Sequence, residues 1–298
     1  MTRRSALLAA APWIFVLIWS TGFVVARFGM PHAPPLTFLS WRYALSVLAF
    51  GIWIRAAGAR WPQGRGQWAH LGLSGVLMHA GYLGGVWAAV KAGIPAGTVA
   101  LIVGLQPLLT GLWVSWRGEH RLGARQWSGL LLGLAGLALV VWPKLGAGEL
   151  TRANLLLSIG ALFSITIGTL YQKRFVSVGD VRVANAVQIG AAFIVTLPLA
   201  LRLESGGMDW HAELIGALAW SVLVLSLLGS SLLVLLIQRG AATQVTSLLY
   251  LVPPCTALMA WWLFGETIGA LGIAGMLLCV FGVGWVVRAP APELTPRV

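Results

Sequence analysis

Along most of this chain apolar residues run almost unbroken for about twenty positions, the length that crosses a hydrocarbon core of roughly 30 Å as a helix. Ten such runs are read: Pro12–Phe28, Leu36–Ile54, Ala69–Val90, Gly97–Trp116, Trp127–Trp142, Ala153–Tyr171, Ala184–Leu201, Leu214–Ile237, Val245–Phe264 and Ile268–Val287. Polar residues collect in the short intervals between them. A transmembrane barrel would alternate polar and apolar residues over about ten positions, and stretches such as LIGALAWSVLVLSLLG (Leu214–Gly229) do not. Helices satisfy their own backbone hydrogen bonds in lipid, so the pattern predicts an all-α integral membrane protein with ten spans.

One phrase occurs twice. VGLQPLLTGLWVSWRGE (Val103–Glu119) returns as YLVPPCTALMAWWLFGE (Tyr250–Glu266), and both its Pro and its Glu are displaced by 147 residues (254 − 107 and 266 − 119). A solenoid repeat would recur every 20–50 residues; a period near half the chain instead predicts a duplicated bundle, residues 1–147 and 148–298. Five spans per copy is an odd number, so the second copy enters from the opposite side, the inverted-repeat plan of many transporters. With one residue deleted after the Glu, Gly129, Gly133 and Gly136 align with Gly275, Cys279 and Gly282, a small-residue face spaced for close helix contact.

Composition agrees with the pattern: charged residues are 9% of the chain and hydrophobic ones 58%, too few charges to cover a water-exposed surface. The formal charge of +12 is an orientation signal. With the N-terminus inside, only Arg27, Lys91, Lys144, Arg152 and Arg202 fall on outer ends and Arg42 within a span; the other fourteen of twenty Lys and Arg lie inside. Both termini are therefore expected in the cytoplasm, with anionic membrane lipid a lesser partner of the basic residues and nucleic acid not a partner. The first run exceeds the 7–15 apolar residues of a signal peptide and is read as a retained helix. Cys255 and Cys279 fall inside spans, as small packing residues rather than a disulfide or metal pair.

An ionisable group inside a span costs on the order of 3 kcal/mol by insertion scales, and Arg42 and His79 are two such groups. Arg42 would offer a charged fork to a carboxylate or phosphate, or else snorkel to the interface. His79 shares a helical face with Tyr82; it would bond a ligand or titrate during transport, or else bond a carbonyl of a neighbouring helix. Uncharged candidates for a cavity lining are Trp19, Gln106, Tyr171, Gln188 and Tyr250, each equally suited to holding helices together. Pro107, Pro253 and Pro254 break the fourth and ninth spans near mid-depth and are candidate gating positions. The outer loop LESGGMDWHAE (Leu203–Glu213) is a candidate lid or a solvated turn. No Asp or Glu lies inside a span, which disfavours cation antiport by an alternating carboxylate. HExxH, GxSxG and P-loop motifs are absent, so no catalytic residue, metal or cofactor is expected.

The segments WSTGFVVAR (Trp19–Arg27), LTFLSWRYAL (Leu36–Leu45) and the duplicated P-x₁₀-GE ends resemble the EamA-type permeases of the drug/metabolite transporter superfamily, and within it the bacterial aromatic-amino-acid exporters. The resemblance covers nearly the whole chain. It implies inverted five-helix repeats, a central cavity from spans 1–4 and 6–9, and spans 5 and 10 packed outside. FSITIG (Phe163–Gly168) stands where a second Trp-Gly motif would be, so roles are not transferred by symmetry. The expected function is export of aromatic or hydrophobic amino acids and related metabolites across a bacterial inner membrane. A lipophilic drug-efflux permease, or a membrane-embedded enzyme or scaffold, are the alternatives. A homo-oligomer is compatible with the sequence.

Overall fold

A computed structural model describes residues 3–117, 123–146, 150–176, 179–232 and 251–287. The described residues are helical throughout, without strands. The helices are α1 (Arg3–Gly29), α2 (Pro35–Ala57), α3 (Arg65–Gly75), a π-helical segment (Val76–Gly81) continuing into α4 (Tyr82–Lys91), α5 (Ala96–Val103), α6 (Gln106–Trp116), α7 (Ala124–Gly146), α8 (Arg152–Phe175) and α9 (Val181–Leu203). Then follow α10 (Ala212–Trp220), which runs into a second π segment (Ser221–Gly229), α11 (Val252–Phe264) and α12 (Ala270–Val287). Six helical stretches are long and apolar enough to cross a membrane: Pro35–Ala57, Arg65–Lys91, Ala96–Trp113, Arg152–Phe175, Val181–Leu203 and Ala212–Leu232. Shorter apolar helices span Trp13–Gly29, Trp127–Val140, Val252–Phe264 and Ala270–Gly282. Side chains such as Leu48, Ile52, Ile194, Leu201 and Trp262 point outward, as lipid-facing residues must.

The few polar residues near helix ends do the work that water does elsewhere. The first N–H groups of a helix lack intrahelical acceptors. Thr151 and Asn154 close a capping box on α8, and Asp180 accepts from the amide of Arg182 at the start of α9. Glu204 accepts from the amides of Leu36 and Thr37 (2.8 and 2.7 Å) and from the Thr37 hydroxyl, tying the end of α9 to the beginning of α2. The Gly-Glu phrase has a similar use: Gly265, at φ 63°, ends α11, and Glu266 accepts from the amide of Ala96 at the first turn of α5 (3.3 Å). Glu119 of the other copy lies outside the described residues.

Glycines set the distances between helices. A Cβ built on Gly136 would lie 2.5 Å from the Gly275 carbonyl oxygen, and one on Gly282 would lie 2.5 Å from that of Gly129. The small-residue faces read from the sequence therefore pack against each other, with Cys279 Sγ 3.4 Å from the Gly133 carbonyl oxygen at the crossing. Residue numbers rise along α7 as they fall along α12, so the two helices are antiparallel. The same holds for α5 and α11, where Gly97 faces Ala257 and Gly104 faces Pro253. On the other side, Gly72 and Gly75 admit α9, while Gly81 and Gly85 admit α8. The glycines around His79 thus serve backbone approach by neighbouring helices.

Adding a methyl group at Gly275 places it 2.5 Å from the Gly136 oxygen and 2.7 Å from Val140, whereas one at Gly284 in the same helix meets nothing within 4 Å. Gly275→Ala is expected to cost about 1–3 kcal/mol, the usual range for overpacking, and to lower the thermal midpoint in detergent. Gly284→Ala should leave the midpoint unchanged or raise it.

Candidate functional site

Two helices lose their regular pitch at mid-length. A π turn carries one extra residue and turns carbonyls away from the axis, and such turns collect at functional sites. The segments Val76–Gly81 and Ser221–Gly229 stand at corresponding places, since His79 and Ser226 are also 147 residues apart (226 − 79). In the first, the Tyr43 hydroxyl donates to the His79 carbonyl (2.9 Å) and Ser164 Oγ donates to that of Leu77 (2.8 Å). In the second, Ser230 Oγ donates to the Leu225 carbonyl (3.4 Å). Hydroxyls from the same and adjoining helices thus supply bonds that lipid cannot.

Between these segments lies a cavity whose empty space, its open mouth included, is about 670 Å³. Trp19, Gly22 and Phe23 of α1, Met78 and His79 of the π turn, and Tyr82, Leu83, Val86 and Trp87 of α4 form much of its wall. Arg42, Ile165, Leu225, Ser226 and Ser230 complete it. Arg42 is 6% exposed, so it is held inside rather than snorkelling. Its Nε donates to Ser226 Oγ at 3.3 Å; among the described residues it makes no other hydrogen bond and no ion pair. The cavity therefore pairs one desolvated positive charge with aromatic and aliphatic walls.

Of the residues expected at a site, Trp19, Arg42, His79 and Tyr82 come together here. Gln188 stands just behind, in contact with His79; its Nε2 donates to Gln172 Oε1 at 3.2 Å and lies 3.5 Å from Ser74 Oγ. Two others are placed elsewhere. Gln106 Nε2 donates to Thr169 Oγ1 (2.9 Å), joining α6 to α8, and Tyr171 bonds His70 Nδ1 (2.7 Å) near the far end of α8. Tyr250 lies outside the described residues. Pro107 occupies the first turn of α6, just past the break at Gly104–Leu105, while Pro253 and Pro254 begin α11. Pro107 thus follows a break in the fourth span, while the residues before Leu251 in the ninth lie outside those described. Pro253 packs against Gly104, so the break between α5 and α6 meets the start of α11.

Phe23, Leu83, Val86 and Trp87 belong to the wall and were not singled out from the sequence. Their signal was spacing: 79, 82, 83, 86 and 87 make one helical face, as do 19, 22 and 23. Trp87 stacks on Phe38 with ring centroids 4.4 Å apart, which fixes the wall from behind.

The loop after α9 folds over the turn between α1 and α2. His32 bonds Asp209 (Nδ1 to Oδ2, 3.3 Å) and Glu213 (Nε2 to Oε2, 3.2 Å), and stacks on His211. The Asp209 amide donates to the His32 carbonyl (2.8 Å), and Trp210 meets Trp41 edge-on. Hydrogen bonds to Glu213 and then Asp209 raise the His32 pKa above its ordinary value.

A helical membrane bundle with a charged, aromatic-walled cavity is the architecture of a transporter, and the comparisons agree. The EamA-like transporter family matches residues 6–142 and again 152–288; the chain belongs to this family of the drug/metabolite transporter superfamily. It is 26% identical over 292 residues to a "Probable amino-acid metabolite efflux pump" of Salmonella typhimurium, covering 95% of this chain and 94% of that one. It is 27% identical over 284 residues to the "Uncharacterized inner membrane transporter YedA" of Escherichia coli, covering 94% and 90%. A solved crystal structure at 19% identity superposes with a TM-score of 0.66 over 96% of this chain and 98% of its own, a likeness of fold. The protein is a membrane transporter.

A histidine with a raised folded-state pKa contributes stability that is full below its ordinary value, about 6.5, and is lost as pH climbs through the raised value. Protection of residues 205–211 against hydrogen exchange, corrected for the intrinsic pH dependence of exchange, should therefore fall as pH rises above about 6.5. His32→Gln should be weakly protected throughout.

Proposed function

We propose that the protein exports hydrophobic and aromatic amino acids and related metabolites across a bacterial inner membrane. In this reading it works by alternating access between residues 1–147 and 148–298, two inverted five-helix units with both termini cytoplasmic. The observation that carries the reading is Arg42, buried in an aromatic-walled cavity between two π turns that recur at one step of the duplication. A guanidinium binds a carboxylate with charge-assisted hydrogen bonds, while Trp19, Phe23, Tyr82 and Trp87 offer apolar and π surface to a side chain. Antiparallel packing of α7 on α12 and of α5 on α11 supports inversion, and the twofold family match supports the duplication itself. The name of the Salmonella relative supports amino-acid metabolites as cargo.

Gating is assigned to the contact of Gly104 with Pro253, where the break between α5 and α6 touches the start of α11 and a change of backbone angle disturbs few hydrogen bonds. Without a carboxylate inside any span, downhill facilitated diffusion is the favoured energetics, with coupling of protons through His79 as the alternative. The mostly apolar wall also suits a lipophilic drug-efflux permease. Protection of cells against dyes but not against toxic amino-acid analogues would favour that second reading.

Purified protein in liposomes preloaded with labelled aromatic substrates should show saturable efflux above empty vesicles. Arg42→Gln should lower that efflux at least about tenfold, the scale of one lost charge-assisted contact, and Arg42→Lys should retain part of it. Absence of saturable flux for every amino acid and derivative tried would count against the assignment. If His79 carries no coupling proton, an imposed proton gradient leaves the initial rate unchanged.

A further inference from the structure

Taking the cavity as the transport site, as above, we infer that it selects amphiphilic monoanions: substrates with an aromatic or aliphatic body, one carboxylate, and no ammonium group to balance it. Within the proposed cargo this means that the 2-oxo acids, hydroxy acids and N-acylated derivatives are preferred over the zwitterionic amino acids. Transport then moves one negative charge outward.

The first ground is the unbalanced charge. Arg42 is more than nine-tenths buried and lines the cavity. A guanidinium has five N–H donors, and among the described residues the only hydrogen bond from Arg42 is Nε to Ser226 Oγ. A lone charge in a low-dielectric interior is costly until it is paired. A carboxylate docked on the remaining donors neutralises it.

The second ground concerns what would receive an ammonium group. The whole chain has eight acidic residues, Glu119, Glu149, Asp180, Glu204, Asp209, Glu213, Glu266 and Glu293, and all lie outside the apolar spans. Asp180, Glu204 and Glu266 serve as helix caps, while Asp209 and Glu213 hold His32. In a zwitterion the ammonium sits one carbon from the carboxylate, so it would enter beside Arg42 with no anion to meet it. Ser226 Oγ, a nearby acceptor, already receives Arg42 Nε on one of its lone pairs, and a hydroxyl brings no charge to balance an ammonium. The zwitterion leaves the site with a net positive charge and brings like charges together in a medium that screens them poorly. The monoanion leaves it neutral.

The charge also supplies a driving force. A membrane potential negative inside pushes a uniported anion out, so export proceeds without a coupling ion and without an intramembrane carboxylate to carry one.

The test uses the wild-type protein in liposomes loaded with phenylpyruvate, N-acetylphenylalanine or phenylalanine at neutral pH, with protein-free vesicles subtracted. Valinomycin and a roughly tenfold potassium gradient make the lumen negative, so a uniported monoanion is driven toward a tenfold outward ratio. The expected result is efflux of both anions that accelerates with the potential and ends near that ratio, with phenylalanine at least about tenfold slower. Arg42→Lys, which keeps the charge, should keep the dependence on potential at a lower rate. Phenylalanine efflux as fast as that of the anions, or anion efflux indifferent to the potential, overturns the inference while leaving the transport reading intact. If none of the three is carried, the transport reading of this cavity falls with it.

Discussion

In hydrocarbon there is no water to bond a stray amide or carbonyl, and each one left unpaired costs several kcal/mol. This constraint explains more of the molecule than its apolar bulk does. It forces helices, and it decides what the scarce polar residues are for. Asp180 and Thr151 cap their own helices, while Glu204 and Glu266 reach across to cap α2 and α5. The reaching caps link segments far apart in sequence, so satisfying the backbone also sets how the bundle is assembled. In the second copy of the repeated phrase the Gly-Glu ending combines both needs: the left-handed Gly265 stops the helix, and Glu266 beside it serves the neighbour.

The same constraint sets where a site can be placed. A π turn disturbs the hydrogen-bond ladder, and it is tolerable at mid-depth because partners are close enough to repair it. Tyr43 and Ser164 do so for the first segment. Ser164 is close because Gly81 and Gly85 let α8 approach, while Gly72 and Gly75 admit α9. Close packing by small residues and an irregular, functional backbone are thus one arrangement. Losing the glycines would separate the helices whose hydroxyls make the turn affordable.

Much of this was legible in the sequence, and the exceptions share a cause. The apolar runs coincide with helices wherever they are described, and the aligned glycines of α7 and α12 meet face to face. Arg42 and His79 could be singled out because ionisable residues are rare at that depth. Gln106 and Tyr171 look equally polar on paper, yet each is used in a helix-to-helix bond, with Thr169 and with His70. Which partner a neutral polar residue finds depends on rotation about the helix axis, and composition does not fix that rotation. Phe23 and Trp87 were hidden for the opposite reason, since an aromatic wall residue has the same chemistry as a core residue. The π turns leave no propensity signal at all. Their positions emerge only when tertiary partners for the displaced carbonyls are in place.

The two copies contribute equally to the scaffold and unequally to the chemistry. Each supplies a π turn to the cavity, but His79 stands on one and Ser226 on the other. The step of 147 from Arg42 (189 − 42) leads to Ile189, with the neutral Gln188 beside it. A duplicated backbone would let two related conformations be close in energy, as the proposed alternating access requires. Symmetry in the charge would do harm, because a second buried guanidinium would repel the first across a poorly screened cavity. One arginine facing a serine at the matching turn gives a site with a single charged end and a long apolar remainder. At the proposed site a ligand with one charged group and a hydrophobic body would have one preferred orientation, set by the half of the chain that carries Arg42.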